Sequence, residues 1–236
     1  KNRGMKVEGF DAYATSNVIG GAGVSSSASF EMLVCVMVDY LFNGGKRDMV
    51  TYAKAGQYAE NKYWMKGSGL LDQLACAVGG IITIDFADIE NPSIREVNCN
   101  FDELGYDLVI VNTGKGHADL SAEYSAVPNE MKAVARYFGK EVLQQVDEDA
   151  VIENVQAIRK AAGDRAVLRA FHFFEENKRV DAQVKALEEK DFDTFFRKVT
   201  ESGDSSWKWL QNCYCNETPD EQSITGALAL TKLYLD

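Results

Sequence analysis

A chain of 236 residues that is 46% hydrophobic and 26% charged, with 3 prolines, has enough apolar surface to bury a core, which excludes a disordered tail. A net charge of -11 excludes a broad nucleic-acid surface, which needs clustered Lys and Arg against the phosphates. Cys35, Cys76, Cys99, Cys213 and Cys215 form no Cys-x-x-Cys pair, and no apolar run reaches the roughly 20 residues of a bilayer span, so a disulfide framework, a zinc site and a membrane segment are not expected. The expectation is a cytoplasmic protein with reduced thiols.

In chain order, Met5 to Thr15 mixes β-branched, aromatic and small residues and reads as a strand entering the loop Asn17 to Gly23. Ser25-Ser26-Ser27 then precede Ala28 to Phe42, a run apolar on most faces that predicts a buried helix capped by serine. Asp48 is placed to cap a second helix reaching Lys66, and Gly67-Ser68-Gly69 breaks it before a short helix from Leu70 to Ala77. Ile81 to Asp85, Ile94 to Val97 and the buried-looking Asp107 to Val111 read as strands. Helical periodicity then takes over in Glu123–Phe138, Val151–Ala162, Ala166–Asn177, Val180–Glu189 and Phe192–Glu201. The change of texture near Phe101 to Gly105 suggests two α+β parts, residues 1–102 and 103–236, the second dominated by helices.

The stretch with the most chemical content is Gly20-Gly21-Ala22-Gly23-Val24-Ser25-Ser26-Ser27-Ala28, where a strand would hand over to a helix. Small residues there let an anion approach backbone N–H groups at a helix N-terminus, and three hydroxyls add donors and a possible metal ligand. No lysine follows Gly23, which excludes a Walker A loop, and Ser26 stands where a dinucleotide fingerprint needs a third glycine. Composition alone leaves a flexible, serine-capped turn as the alternative. Two carboxylates follow. Asp72, in Gly69-Leu70-Leu71-Asp72-Gln73, suits a cap, a hydrogen-bond acceptor or a base, and Glu60, alone on a helix, reads as a solvated face residue. His117 lies after a glycine-rich loop with no paired acid and is given no catalytic role, and Lys115 reads as a solvated loop lysine.

Gly21-Ala22-Gly23-Val24-Ser25-Ser26-Ser27-Ala28-Ser29 resembles the second signature of the GHMP small-molecule kinases in its galactokinase form, with Val24 in place of leucine and Ile19 where proline is usual. Gly69-Leu70-Leu71-Asp72-Gln73 resembles that family's Gly-Ile-Met-Asp-Gln segment, and Ala59-Glu60 stands at the family's offset from it. The passage Asp107 to His117 followed by Ser121-Ala122-Glu123-Tyr124 is similar to the start of the galactokinase C-terminal domain, and Ser202 to Ser206 with Gln222 to Leu235 extends the likeness.

The resemblance implies a two-domain α+β GHMP kinase fold, with an N-terminal domain like domain 2 of ribosomal protein S5 and a ferredoxin-like C-terminal domain, truncated at both ends. It implies that Gly21, Ala22, Gly23, Val24, Ser25, Ser26 and Ser27 hold the ATP phosphates, that Ser27 and Glu60 bind Mg²⁺, and that Gly69, Asp72 and Tyr124 meet galactose, with Asp72 accepting the proton of the C1 hydroxyl. The partners implied are the sugar and ATP, acting on a monomer. The first and third family signatures do not occur between Lys1 and Asp236, so this polypeptide is expected to turn over little and to expose apolar edges. Alternatives are another GHMP substrate, such as N-acetylgalactosamine or mevalonate, and a non-catalytic regulator that responds to galactose and ATP.

Overall fold

The computed structural model describes residues 4–21, 23–65, 67–114 and 120–235. The chain forms two compact units, which divide between Glu96 and Val97, a few residues before the expected change of texture.

The first unit contains helices α1 (Ser26–Phe42), α2 (Met49–Tyr63) and α3 (Leu71–Val78) and strands β1 (Ile82–Asp85) and β2 (Ser93–Glu96). The strands pair antiparallel with Ile84 opposite Ile94. This register sets both isoleucines on one face, where they pack with Val50 and Phe86 against buried Ala53, Leu70 and Leu74. The three helices pack on one another. Asp48 caps α2 by accepting from the Thr51 N–H, as expected. Buried Asp39 ties the end of α1 to α2. Its Oδ2 accepts from the Tyr52 hydroxyl at 2.6 Å and from the Arg47 N–H at 2.9 Å. The Tyr52 bond, ahead of opposing burial, holds the Asp39 carboxyl below its ordinary range, while burial and then that bond push the Tyr52 phenol up to about 12.

Three expectations for this unit are corrected. Residues 5–15 form no strand. Their side chains are mostly exposed, and although the Asn43 side chain meets the N–H and carbonyl of Lys6 and Phe10 packs on Phe42, no described strand runs alongside them, and an extended segment becomes a strand only when a neighbouring backbone pairs with it. Helix α1 buries Ala28, Met32, Val38 and Asp39 but exposes Phe30, Leu33, Val36, Tyr40 and Leu41 among its described side chains, so a run that is apolar on most faces is only partly buried. The serine cap is also absent, because Ser25 is left-handed and its side chain makes no cap bond.

The second unit is helical among its described residues. It runs α4 (Ser121–Tyr137), a 3₁₀ turn (Leu143–Gln145), α5 (Glu148–Glu153), α6 (Val155–Ala162), α7 (Asp164–Glu189), α8 (Phe192–Ser205), a π-helical turn (Ser206–Leu210) and α9 (Ser223–Leu235). Val134, Ala135, Leu143, Val151, Ile158, Ala166, Val167 and Ala170 form its core. Arg169, 1% exposed, meets Glu130 of α4 at 2.9 Å and donates to the Leu210 carbonyl of the π turn.

Here too the helix bounds shift. Val151–Ala162 is two helices, since Asn154 leaves the helical path and its amide takes the Ala150 carbonyl. Ala166–Asn177 and Val180–Glu189 are one helix of 26 residues, because Lys178 and Arg179 pair with Glu175 and Glu176 one turn back and carry the helix through a polar stretch. Residues 107–111 are neither strand nor buried. Leu108 is 91% and Val109 77% exposed.

Candidate functional site

The glycine-serine loop leads directly into α1. Gly21 and Gly23 have φ of 74° and 73°, and a Cβ at either would meet nothing within 4 Å. Glycine is therefore required there by the left-handed backbone rather than by crowding. Ser25 follows in the same region at φ 55°, costly for a residue with a Cβ, and its carbonyl begins the helix by accepting from the Ser29 N–H. The N–H groups of Ser26, Ser27 and Ala28 precede the first helical bond, so they lie at the positive end of a 17-residue helix whose first turn has no acidic residue. Val24 and Ser27 are exposed, Ser25 and Ser26 half-buried. Ala22, placed in the same loop by sequence, lies outside the described residues, as do Lys115 and His117.

Behind the loop, the Ser27 hydroxyl donates to Glu60 Oε1 at 3.2 Å. Glu60 is 3% exposed, so it belongs to the interior of the three helices rather than to a solvated face. Its other oxygen accepts from the Gln73 amide at 3.3 Å, and the same amide nitrogen reaches Glu31 Oε2 at 3.4 Å. Cys76 on α3 donates its thiol hydrogen to the Ser25 carbonyl at 3.9 Å. Burial, followed by the charges of Asp72 and Glu31, pushes that thiol up.

Asp72 is exposed on the first turn of α3, between Leu70 and Leu74, which are buried. It does not cap the helix and makes no hydrogen bond or ion pair with a described residue, so the two structural uses open to it from sequence are not realised. The approach to it is braced. Ser68 donates its N–H to Asn61 Oδ1 at 2.8 Å, and its carbonyl accepts from the amides of Asn61 and Gln57. Gly69 follows, exposed, with open space where a Cβ would stand.

Tyr124 belongs to the second unit, on the first turn of α4, and is 58% exposed. Pro128 sits four residues on and has no N–H to give the Tyr124 carbonyl. Ser27, Glu60 and Asp72 thus share the three-helix unit, with Tyr124 in the other.

The oxygen set suits Mg²⁺. A hydroxyl and a carboxylate 3.2 Å apart, beside a helix N-terminus open to phosphates, supply hard oxygen ligands and leave positions for water and phosphate oxygens. Among the described residues no group of three or more His, Cys, Asp and Glu could hold a metal by itself, and no helix is long and apolar enough to cross a membrane. Sequence reading missed Glu31, Gln57, Asn61 and Gln73. Gln73 and Asn61 each stand next to a residue that was singled out, and that adjacency was the available signal.

Residues 1–80 match the family of GHMP kinases N terminal domains. The chain is 30% identical over 203 residues to the galactokinase of Clostridium tetani, covering 85% of this chain and 51% of that one. It is 29% identical over 218 residues to the galactokinase of Thermotoga neapolitana, covering 92% and 59%. A crystal structure of Lactococcus lactis galactokinase complexed with galactose superposes with a TM-score of 0.67 at 26% identity, over 82% of this chain and 49% of that one. The chain spans about half the length of the curated relatives it matches. Its first 80 residues therefore match the GHMP kinase N-terminal domain, and the chain as a whole is similar to about half of a galactokinase.

Proposed function

We propose that the protein to which these residues belong phosphorylates galactose at its C1 hydroxyl with ATP, as a cytoplasmic monomer. The observation that carries this reading is the conjunction of the loop, Ser27 and Glu60 with an exposed, uncommitted Asp72 on the neighbouring helix. In-line phosphoryl transfer asks a protein mainly to position reactants and stabilise charge, and the parts divide that work.

The backbone N–H groups from Ser26 to Ala28, with the turn made possible by Gly21 and Gly23, receive the nucleotide's phosphate oxygens. Ala22, Val24 and Ser25 shape the same turn. Ser27 and Glu60 hold Mg²⁺, which neutralises phosphate charge when bound. Asp72 takes the proton from the C1 hydroxyl as that oxygen attacks the terminal phosphorus and the bond from that phosphorus to the bridging oxygen breaks, releasing ADP, and its oxygens, without a partner among the described residues, suit a base that must meet a substrate. Gly69 and Tyr124 line the sugar.

The test is galactose-dependent ADP release by the natural polypeptide containing these residues, with Asp72→Ala beside it. Turnover that requires both galactose and Mg²⁺ and falls by about 10²–10⁴-fold in the variant is expected for loss of a general base. Unchanged turnover in Asp72→Ala refutes the assignment of the base. No turnover with retained binding of galactose and ATP replaces the kinase by a sugar-responsive regulator.

A further inference from the structure

We infer that Gln73 is a positioning residue whose amide nitrogen, shared between Glu60 and Glu31, holds the Glu60 carboxylate in the orientation that meets Ser27. The inference rests on the reading of Ser27 and Glu60 as the divalent-cation ligands.

Gln73 is 1% exposed and lies between α1, α2 and α3. Its Nε2 stands 3.3 Å from Glu60 Oε2 and 3.4 Å from Glu31 Oε2, while Glu60 Oε1 stands 3.2 Å from the Ser27 hydroxyl. Each Glu60 oxygen therefore has a donor among the described residues, and these two contacts, one to each oxygen, help to fix the plane of the carboxylate. Rotating the amide by half a turn would aim its oxygen at two carboxylates, so the neighbours dictate which end faces them.

The arrangement is costly as packing. The Gln73 Oε1 atom is buried without a hydrogen-bond partner among the described residues, and a buried polar atom left unsatisfied is more expensive than an apolar side chain of the same shape. A core position that needed only volume would be better served by Leu or Met. What the amide adds is a hydrogen-bond donor shared by the two carboxylates. Gly56, one helical turn before Glu60, leaves the space into which the Glu31 carboxylate and the Gln73 chain fit. A Cβ there would stand 2.7 Å from Glu31 Oε2 and 3.3 Å from Gln73 Cγ.

The experiment compares the natural polypeptide with its Gln73→Met and Gln73→Asn variants, the first keeping volume without a donor and the second keeping an amide too short to reach. Binding of Mn²⁺ in the presence of a non-hydrolysable ATP analogue is read by electron paramagnetic resonance, and folding by circular dichroism. The expected result is a dissociation constant for Mn²⁺ raised about tenfold or more in each folded variant, the usual effect of removing a partner that orients a metal ligand. Wild-type Mn²⁺ affinity in a folded variant, whatever its thermal stability, overturns the inference and leaves Gln73 as core filling. The readout needs no turnover. Weakened Mn²⁺ binding in a protein that releases no ADP with galactose would support the positioning role and remove the kinase reading, whereas galactose-dependent turnover with unaltered Mn²⁺ binding would do the reverse.

Discussion

Gly56→Ala sets two known effects against each other at the centre of the first unit. Gly56 is inside α2, and alanine there gains about 1 kcal/mol of helix propensity. Against this, the new methyl would stand 2.7 Å from Glu31 Oε2, 2.8 Å from Met32 Cε and 3.3 Å from Gln73 Cγ. Glu31 is half-buried and can turn toward water, giving up its contact with Gln73. Met32 and Gln73, 4% and 1% exposed, have no such exit, so relief requires α1 and α3 to move away from α2. Overpacking of this kind costs about 1–3 kcal/mol, so the net change is destabilising by about 1 kcal/mol. For a unit of this size that lowers Tm by roughly 4–8 °C. Differential scanning calorimetry of the wild type and variant checks the value. A Tm that stays the same or rises would show that the contacts around Gly56 relax freely and would refute the argument from crowding.

Alkaline and capping effects give two further tests. The Tyr52 phenol is raised in the folded state, chiefly by burial and next by its bond to Asp39, so its stabilisation is complete below the unfolded value near 10 and is lost as pH rises through about 12. Urea denaturation between pH 8 and 12 is therefore expected to show a steeper alkaline loss in the wild type than in Tyr52→Phe, and parallel curves would contradict it. Removing the α2 cap with Asp48→Ala is expected to cost about 1 kcal/mol, read as a lower urea midpoint at unchanged slope. An unchanged midpoint would mean that the bond from Thr51 contributes nothing net.

Much of the site was legible because its signals are local. Glycines at positions that need positive φ, serines at the head of an apolar run, and Asp48 three residues before Thr51 act within a few residues of themselves, and the fold realises each local geometry except the side-chain cap of Ser25. The helices of the second unit were legible for the same reason, their periodicity being a property of one segment, with bounds shifting where Asn154 or the pairs at Lys178 and Arg179 altered continuity.

Other features depend on what another segment does. Residues 5–15 and 107–111 have strand-like composition, yet a strand exists only through a partner's hydrogen bonds, and their own residues do not reveal whether one is present. Nor does sequence distinguish a solvated glutamate on a helix from Glu60, because its burial is imposed by α1 and α3 arriving from both sides. The sequence by itself determined the loop, the helices and the family likeness, all encoded in short stretches. The tertiary structure alone decided that Glu60 is buried against Ser27, that Gln73 bridges it to Glu31, and that Asp72 is left exposed without a partner among the described residues, because burial and pairing are properties of packed neighbours rather than of residues in a row.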